Sequence, residues 1–132
     1  MFKLWLRRIH LLLAIFSGLF LISSSITGTL LIYAQTIQRE INPDYWQVAP
    51  EERALTYNNI IQSVEGDTLQ KVTLIQPELE PNLAWQIQLA NKRYISVNPY
   101  NAKILLEYDY YSTFYGFTMA FHRWLLYQDK DG

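Results

Sequence analysis

Two histidines, His10 and His122, are the residues of this chain whose type and setting carry chemistry. Their surroundings are alike: Arg8-Ile9-His10-Leu11-Leu12 and Phe121-His122-Arg123-Trp124-Leu125. Each lies where a basic residue meets an apolar helical pattern. An imidazole at the end of a membrane helix is costly, which makes it a functional candidate by default. Neutral imidazole binds haem iron axially, and facing helices can hold a porphyrin between them. The competing reading places each ring in the polar interface, hydrogen-bonded to lipid phosphate or water. On spacing alone, this plainer reading is the weightier.

Other chemistries find little footing. The chain has no cysteine, so disulfides and thiolate metal sites are excluded. Neither histidine falls within residues 43–109, so no Ser/His/Asp or His/Glu hydrolase constellation forms there. Glu51-Glu52 follow Pro50 in a loop and read as solvated charge. Asp129 and Asp131 around Lys130 make no complete calcium loop. No basic patch with interleaved aromatics points to nucleic acid.

The elements that must position the histidines begin with a membrane helix. Residues 11–38 carry no charged side chain and are flanked by Arg7-Arg8 and Arg39-Glu40. Its apolar part, 11–33, makes a helix of roughly 35 Å, against a hydrocarbon slab of about 30 Å. Only a helix lets an open chain satisfy its backbone polar groups in lipid. Lys3, Arg7 and Arg8 precede it with no acid among them, and from Glu40 onward 12 acidic residues face 7 basic ones. The positive-inside rule then puts the N-terminus in the cytoplasm and the rest outside. A cleaved signal peptide is the alternative, but the apolar run is too long, and cleavage after Ala34 would find Ile32 where a small residue is wanted. Arg7-Arg8 reads as a topology anchor ahead of a twin-arginine signal. His10 is therefore expected at the inner edge of the membrane and His122 at the outer edge. A metal–imidazole bond is about 2 Å, so the two cannot share one iron. Haem would need at least two sites, each with a second ligand from outside this sequence, an arrangement suited to electron transfer across the bilayer.

Ser17, Gly18, Ser23, Ser24, Ser25, Thr27 and Gly28 cluster within the helix, with Ser24 and Gly28 as a small-xxx-small pair. Such residues predict close packing against other transmembrane helices; alternatively the hydroxyls only bond back to the i−4 carbonyl. Tyr33, Tyr45 and Trp46 fit an outer aromatic belt and Trp5 an inner one. Asn42-Pro43 ends the helix, and 43–55 reads as a linker. Thr56 is the expected N-cap of a helix whose stripe is Ile60, Ile61 and Val64, with Gly66 as its stop. Alternation predicts strands at 69–76 (with some slippage), 83–89, 93–97 and 104–108, with turns at Pro77–Pro81, Asn91-Lys92 and Asn98-Pro99-Tyr100-Asn101. Residues 110–127 carry no acid, and Phe114, Phe117, Phe121 and Leu125 recur at helical spacing. They read as an interfacial helix or the start of a second membrane segment. The expectation is an α+β membrane protein in three parts: 1–42 as N-terminus and transmembrane helix, 43–109 as an exported helix plus antiparallel meander, and 110–132 as the next helix. The abrupt stop after it suggests a piece of a longer protein.

Taken in order, Arg8-x-His10, Thr27-Gly28, the helix LTYNNIIQSV, the strand-turn-strand RYISVNPYNAKIL and His122-Arg123-Trp124-Leu125 resemble the PepSY-associated transmembrane helix family over essentially the whole chain. Asn98 and Ala102 depart from the commoner Asp and Gly of its turn. The resemblance implies a bacterial inner-membrane protein with periplasmic PepSY domains and links to iron and siderophore uptake. It also implies a haem-containing oxidoreductase that releases iron from ferric siderophores, with His10 and His122 as candidate haem ligands. Membrane lipid, other transmembrane helices and a ferric siderophore would be its partners. The alternative is a non-enzymatic PepSY module that binds or inhibits a partner protein through the meander faces or the aromatic strip at 108–115. That strip is also read, more plainly, as bilayer contact. A third possibility is a remnant without function.

Overall fold

The computed structural model describes residues 1–124, and Leu125 and the acidic tail lie outside them. The first helix, α1 (Phe2–Ile41), runs for 40 residues, about 60 Å. It is longer than its uncharged part because turns that carry Lys3, Arg7 and Arg8 at one end and Arg39 and Glu40 at the other extend it. Leu11, Leu12, Leu13, Phe16, Leu19, Phe20 and Leu21 on it are all exposed. So large a continuous apolar surface is untenable in water, and this half of α1 belongs in lipid.

Asn42 closes α1 through its N–H to the Gln38 carbonyl (3.2 Å). Residues 43–55 are not all linker. Pro43 opens a one-turn helix, α2 (Pro43–Trp46), where a missing N–H costs nothing. Gln47 then bridges to Leu83. Trp46 is not a belt residue: it is buried and meets Tyr108 edge-on at 5.1 Å.

Helix α3 (Tyr57–Thr68) begins as expected, with the Thr56 hydroxyl accepting from the Asn59 N–H. It does not stop at Gly66. It ends two residues later, where Leu69 turns left-handed at φ 55°. Glu65 fastens the following turn, accepting from the Val72 N–H (3.0 Å) and from Lys71 (3.1 Å). These two donors hold its carboxyl below the usual range.

Four strands follow: β1 (Val72–Gln76), β2 (Trp85–Leu89), β3 (Tyr94–Val97) and β4 (Ile104–Tyr108). They pair antiparallel in the order β1-β2-β3-β4. The slippage read in the first strand is real, since the register shifts between Val72 and Leu74. The tight turns rest on Lys92 at φ 65° and Ala102 at φ 59°. Alternation places Ile87, Leu89, Ile95 and Val97 on one face, against Ile60 and Val64 of α3, and this is the core. The opposite face carries Gln86, Tyr94, Ser96 and Tyr108. It is also covered: the buried Ser96 hydroxyl donates to the Tyr45 carbonyl at 2.6 Å. After a 3-10 turn (Tyr110–Ser112), the chain enters α4 (Phe114–Trp124). Phe114 and Phe117 are exposed and Phe121 is half-buried, so the first turns of the aromatic stripe face away from the protein.

Candidate functional site

The Thr113 hydroxyl accepts from the Gly116 N–H (3.0 Å) and starts α4. The Tyr115 N–H donates to the side-chain oxygen of Gln38 (3.1 Å), tying the head of α4 to the sheet-side end of α1. Two turns further along α4, the His122 ring meets Thr27. These two contacts make α4 antiparallel to α1. The buried positions here are all small: Thr27 and Ala34 on α1, and Gly116, Thr118 and Ala120 on α4. Small residues let two backbones approach closely.

At His122 the geometry is specific. Nδ1 lies 2.9 Å from the Thr27 hydroxyl oxygen. The ring rests over Gly28, where an added Cβ would come within 3.2 Å of Cε1 and 3.9 Å of Nε2. Nε2 makes no hydrogen bond among the described residues. Gly28 thus seats the ring in space that a bulky side chain would fill, with one ring nitrogen engaged and the other not. Those features fit an axial histidine, whose second nitrogen is ordinarily held by a protein group.

Both readings of the hydroxyl cluster hold together at one residue. Thr27 bonds back to the Ser23 carbonyl (2.8 Å) and also packs against the facing helix; Ser25 and Thr29 only bond back, to Leu21 and Ser25. His122 is not at the rim of the apolar span. Thr27 precedes Tyr33 by six residues, so the ring sits about 9 Å inside the span. The reason is that α4 descends alongside α1 and does not lie flat across its end.

His10 is exposed in a shallow groove with Leu6, Arg7, Leu11 and Ala14. It lies seventeen residues from Thr27 on the same helix, about 25 Å away. The structure keeps the two histidines apart. Among the described residues, no three His, Cys, Asp or Glu side chains come together to hold a metal ion.

A second site joins part of the aromatic strip at 108–115 to amides of α1 and β2, a combination the sequence does not announce. A cleft of about 250 Å³ opens between the polar face of the sheet and the end of α1, lined among others by Gln35, Gln38, Gln86, Tyr94, Tyr110 and Tyr115. Arg39 on its wall is paired with Glu78 at 3.0 Å. The Tyr108 hydroxyl donates to Gln86 Oε1 at 2.7 Å. Burial raises the Tyr108 phenol far above its ordinary range, with Tyr94 and Tyr110 adding to it. Burial, followed by Tyr115, Tyr111 and Tyr94, pushes Tyr110 up to about 12. These phenols are neutral hydrogen-bonding groups at physiological pH, so the cleft suits an uncharged polar ligand. The signal was present in the sequence as amides just past the apolar run and glutamines on the polar side of β2, but the junction was needed to bring them together.

A family model described as PepSY-associated TM region matches residues 7–132. Comparison with curated proteins gives no match.

Proposed function

This chain belongs to the PepSY-associated TM region family, and from that premise we propose that it is part of a haem-dependent electron-transfer protein of the bacterial inner membrane. Its N-terminus would lie in the cytoplasm and residues 43–109 in the periplasm. Its task would be reduction of ferric siderophores during iron uptake. The observation that carries this reading is the His122 ring, seated over Gly28 inside the apolar span with one nitrogen tied to Thr27 and the other unengaged. His10, about 25 Å along α1, supports a second site at the opposite side of the membrane.

Here His122 and His10 would each hold one haem through a ring nitrogen, the second ligand coming from another helix. Haem, when bound, supplies a one-electron carrier whose potential is set by its axial ligands and surroundings. The chain's own work is positional. Gly28 and Thr27 orient His122, and the exposed apolar face of α1 supplies a dry, low-dielectric wall.

The test is purification of the protein in detergent from haem-replete cells, followed by absorption spectroscopy and ferric-chelate reduction with dithionite-reduced protein. The expected result is a Soret band that shrinks in His122→Ala and His10→Ala, with reduction falling in step. A colourless preparation would remove the reading. A second reading, a non-enzymatic binding module, is favoured by the polar cleft. It expects ligand or partner binding that persists unchanged in the two histidine variants.

A further inference from the structure

We propose that Thr27 is a positioning residue that fixes the tautomer of His122, holding the proton on Nδ1 and presenting a bare Nε2. The tautomer follows from a hydrogen count. A threonine hydroxyl has one hydrogen to donate and two lone pairs to accept with. The Thr27 oxygen lies 2.8 Å from the Ser23 carbonyl and 3.2 Å from the Ser24 carbonyl. Both are acceptors only, so the hydroxyl hydrogen is committed to them. The remaining neighbour, His122 Nδ1 at 2.9 Å, must then bring its own hydrogen. A neutral imidazole carrying that hydrogen on Nδ1 has its lone pair on Nε2.

Among the described residues nothing else competes for the assignment, because the His122 ring has one hydrogen-bond partner there and rests against a glycine. The helix backbone therefore sets the ring chemistry through one side chain: Ser23 carbonyl orients Thr27, and Thr27 orients His122. The bare nitrogen is the form needed to ligate a metal, and this consequence rests on the haem reading. The tautomer does not rest on it.

The experiment uses the full chain in detergent micelles without haem, labelled with ¹⁵N-histidine, at alkaline pH where imidazoles are neutral. His10, the other of the chain's 2 histidines, serves as the internal reference. Long-range ¹H–¹⁵N spectra are expected to show a protonated, pyrrole-like Nδ1 and an unprotonated, pyridine-like Nε2 at His122. Exposed His10 shows the ordinary mixture, dominated by Nε2–H. Thr27→Val keeps the shape, removes the hydroxyl and should move His122 to the His10 pattern; Thr27→Ser should restore it. Ferric protoporphyrin IX titration is then expected to show about 10- to 100-fold weaker binding in Thr27→Val, as for other lost partners of metal-binding histidines. A wild-type His122 with its proton on Nε2 overturns the proposal, and so does a Thr27→Val spectrum identical to wild type. The wild-type spectrum decides the tautomer even where a variant fails to fold. A chain with the expected tautomer that binds no porphyrin sinks the haem reading alone.

Discussion

Gly28 is the most exacting position in the contact between α1 and α4. An alanine Cβ there would stand 3.2 Å from His122 Cε1, where ordinary contact begins near 3.4 Å, so the ring must yield by a few tenths of an ångström. Replacing glycine with alanine inside a helix gains about 1 kcal/mol of helix propensity, which offsets the crowding. Gly28→Ala should therefore leave stability within about 1 kcal/mol of wild type, with a displaced His122 resonance. Gly28→Leu adds three more carbons to the space the ring occupies. Overpacking of this kind costs about 1–3 kcal/mol, more than the propensity gain, and the ring must leave. Gly18 is the control, since nothing stands within 4 Å of its added Cβ. The assay is SDS-driven unfolding in mixed micelles, followed by near-ultraviolet circular dichroism, alongside the His122 ¹⁵N signals. A lower midpoint and a free-histidine spectrum are expected for Gly28→Leu and neither for Gly18→Leu. A Gly28→Leu protein with wild-type midpoint and wild-type His122 signals would refute the packing described.

Three further outcomes are expected. Gly116→Ala should cost about 3 kcal/mol or cause misfolding of the corner before α4, because its Cβ would overlap the Tyr110 carbonyl oxygen and crowd Thr113; the same denaturation assay measures it. Lys92→Gly should raise stability by about 1 kcal/mol, since φ 65° is left-handed, costs any Cβ-bearing residue and this exposed side chain buries nothing. Alkali should destabilise the fold in a defined window. Tyr110 ionises near 12 when folded and near 10 when unfolded, so the unfolded chain binds fewer protons between these values, and stability present below pH 10 is lost as pH rises toward 12. Tyr108 shifts in the same direction, and Tyr110→Phe should flatten the loss in pH-dependent melts.

The fold was legible wherever a local pattern had one interpretation. Thr56 announced its cap, the alternation at 83–89 announced a strand that is observed at Trp85–Leu89, and Ile104–Tyr108 was read with its observed bounds. Errors came where tertiary contacts outweighed local preference. Gly66 looked like a stop, yet the helix continues to Thr68 and an exposed leucine takes the left-handed position, with Glu65 pinning the turn beyond it. Trp46 looked like a belt residue, and only Tyr108, sixty-two residues later, explains its burial. The candidate site was half legible. His122 and the Thr27-Gly28 pair were both singled out, but their meeting depends on how steeply α4 descends along α1, which no spacing within either helix encodes. The tyrosine and glutamine cleft was legible only as its aromatic strip, for the same reason: its walls come from α1, all four strands and the start of α4.

The most direct test of the central claim is the haem content of the wild-type, His10→Ala and His122→Ala proteins, read as reduced-minus-oxidised spectra per mole of chain. The account predicts two separable losses, each histidine variant removing its own share and the double variant removing both. Spectra that are unchanged in His122→Ala, or a wild-type protein that holds no haem at all, would contradict it.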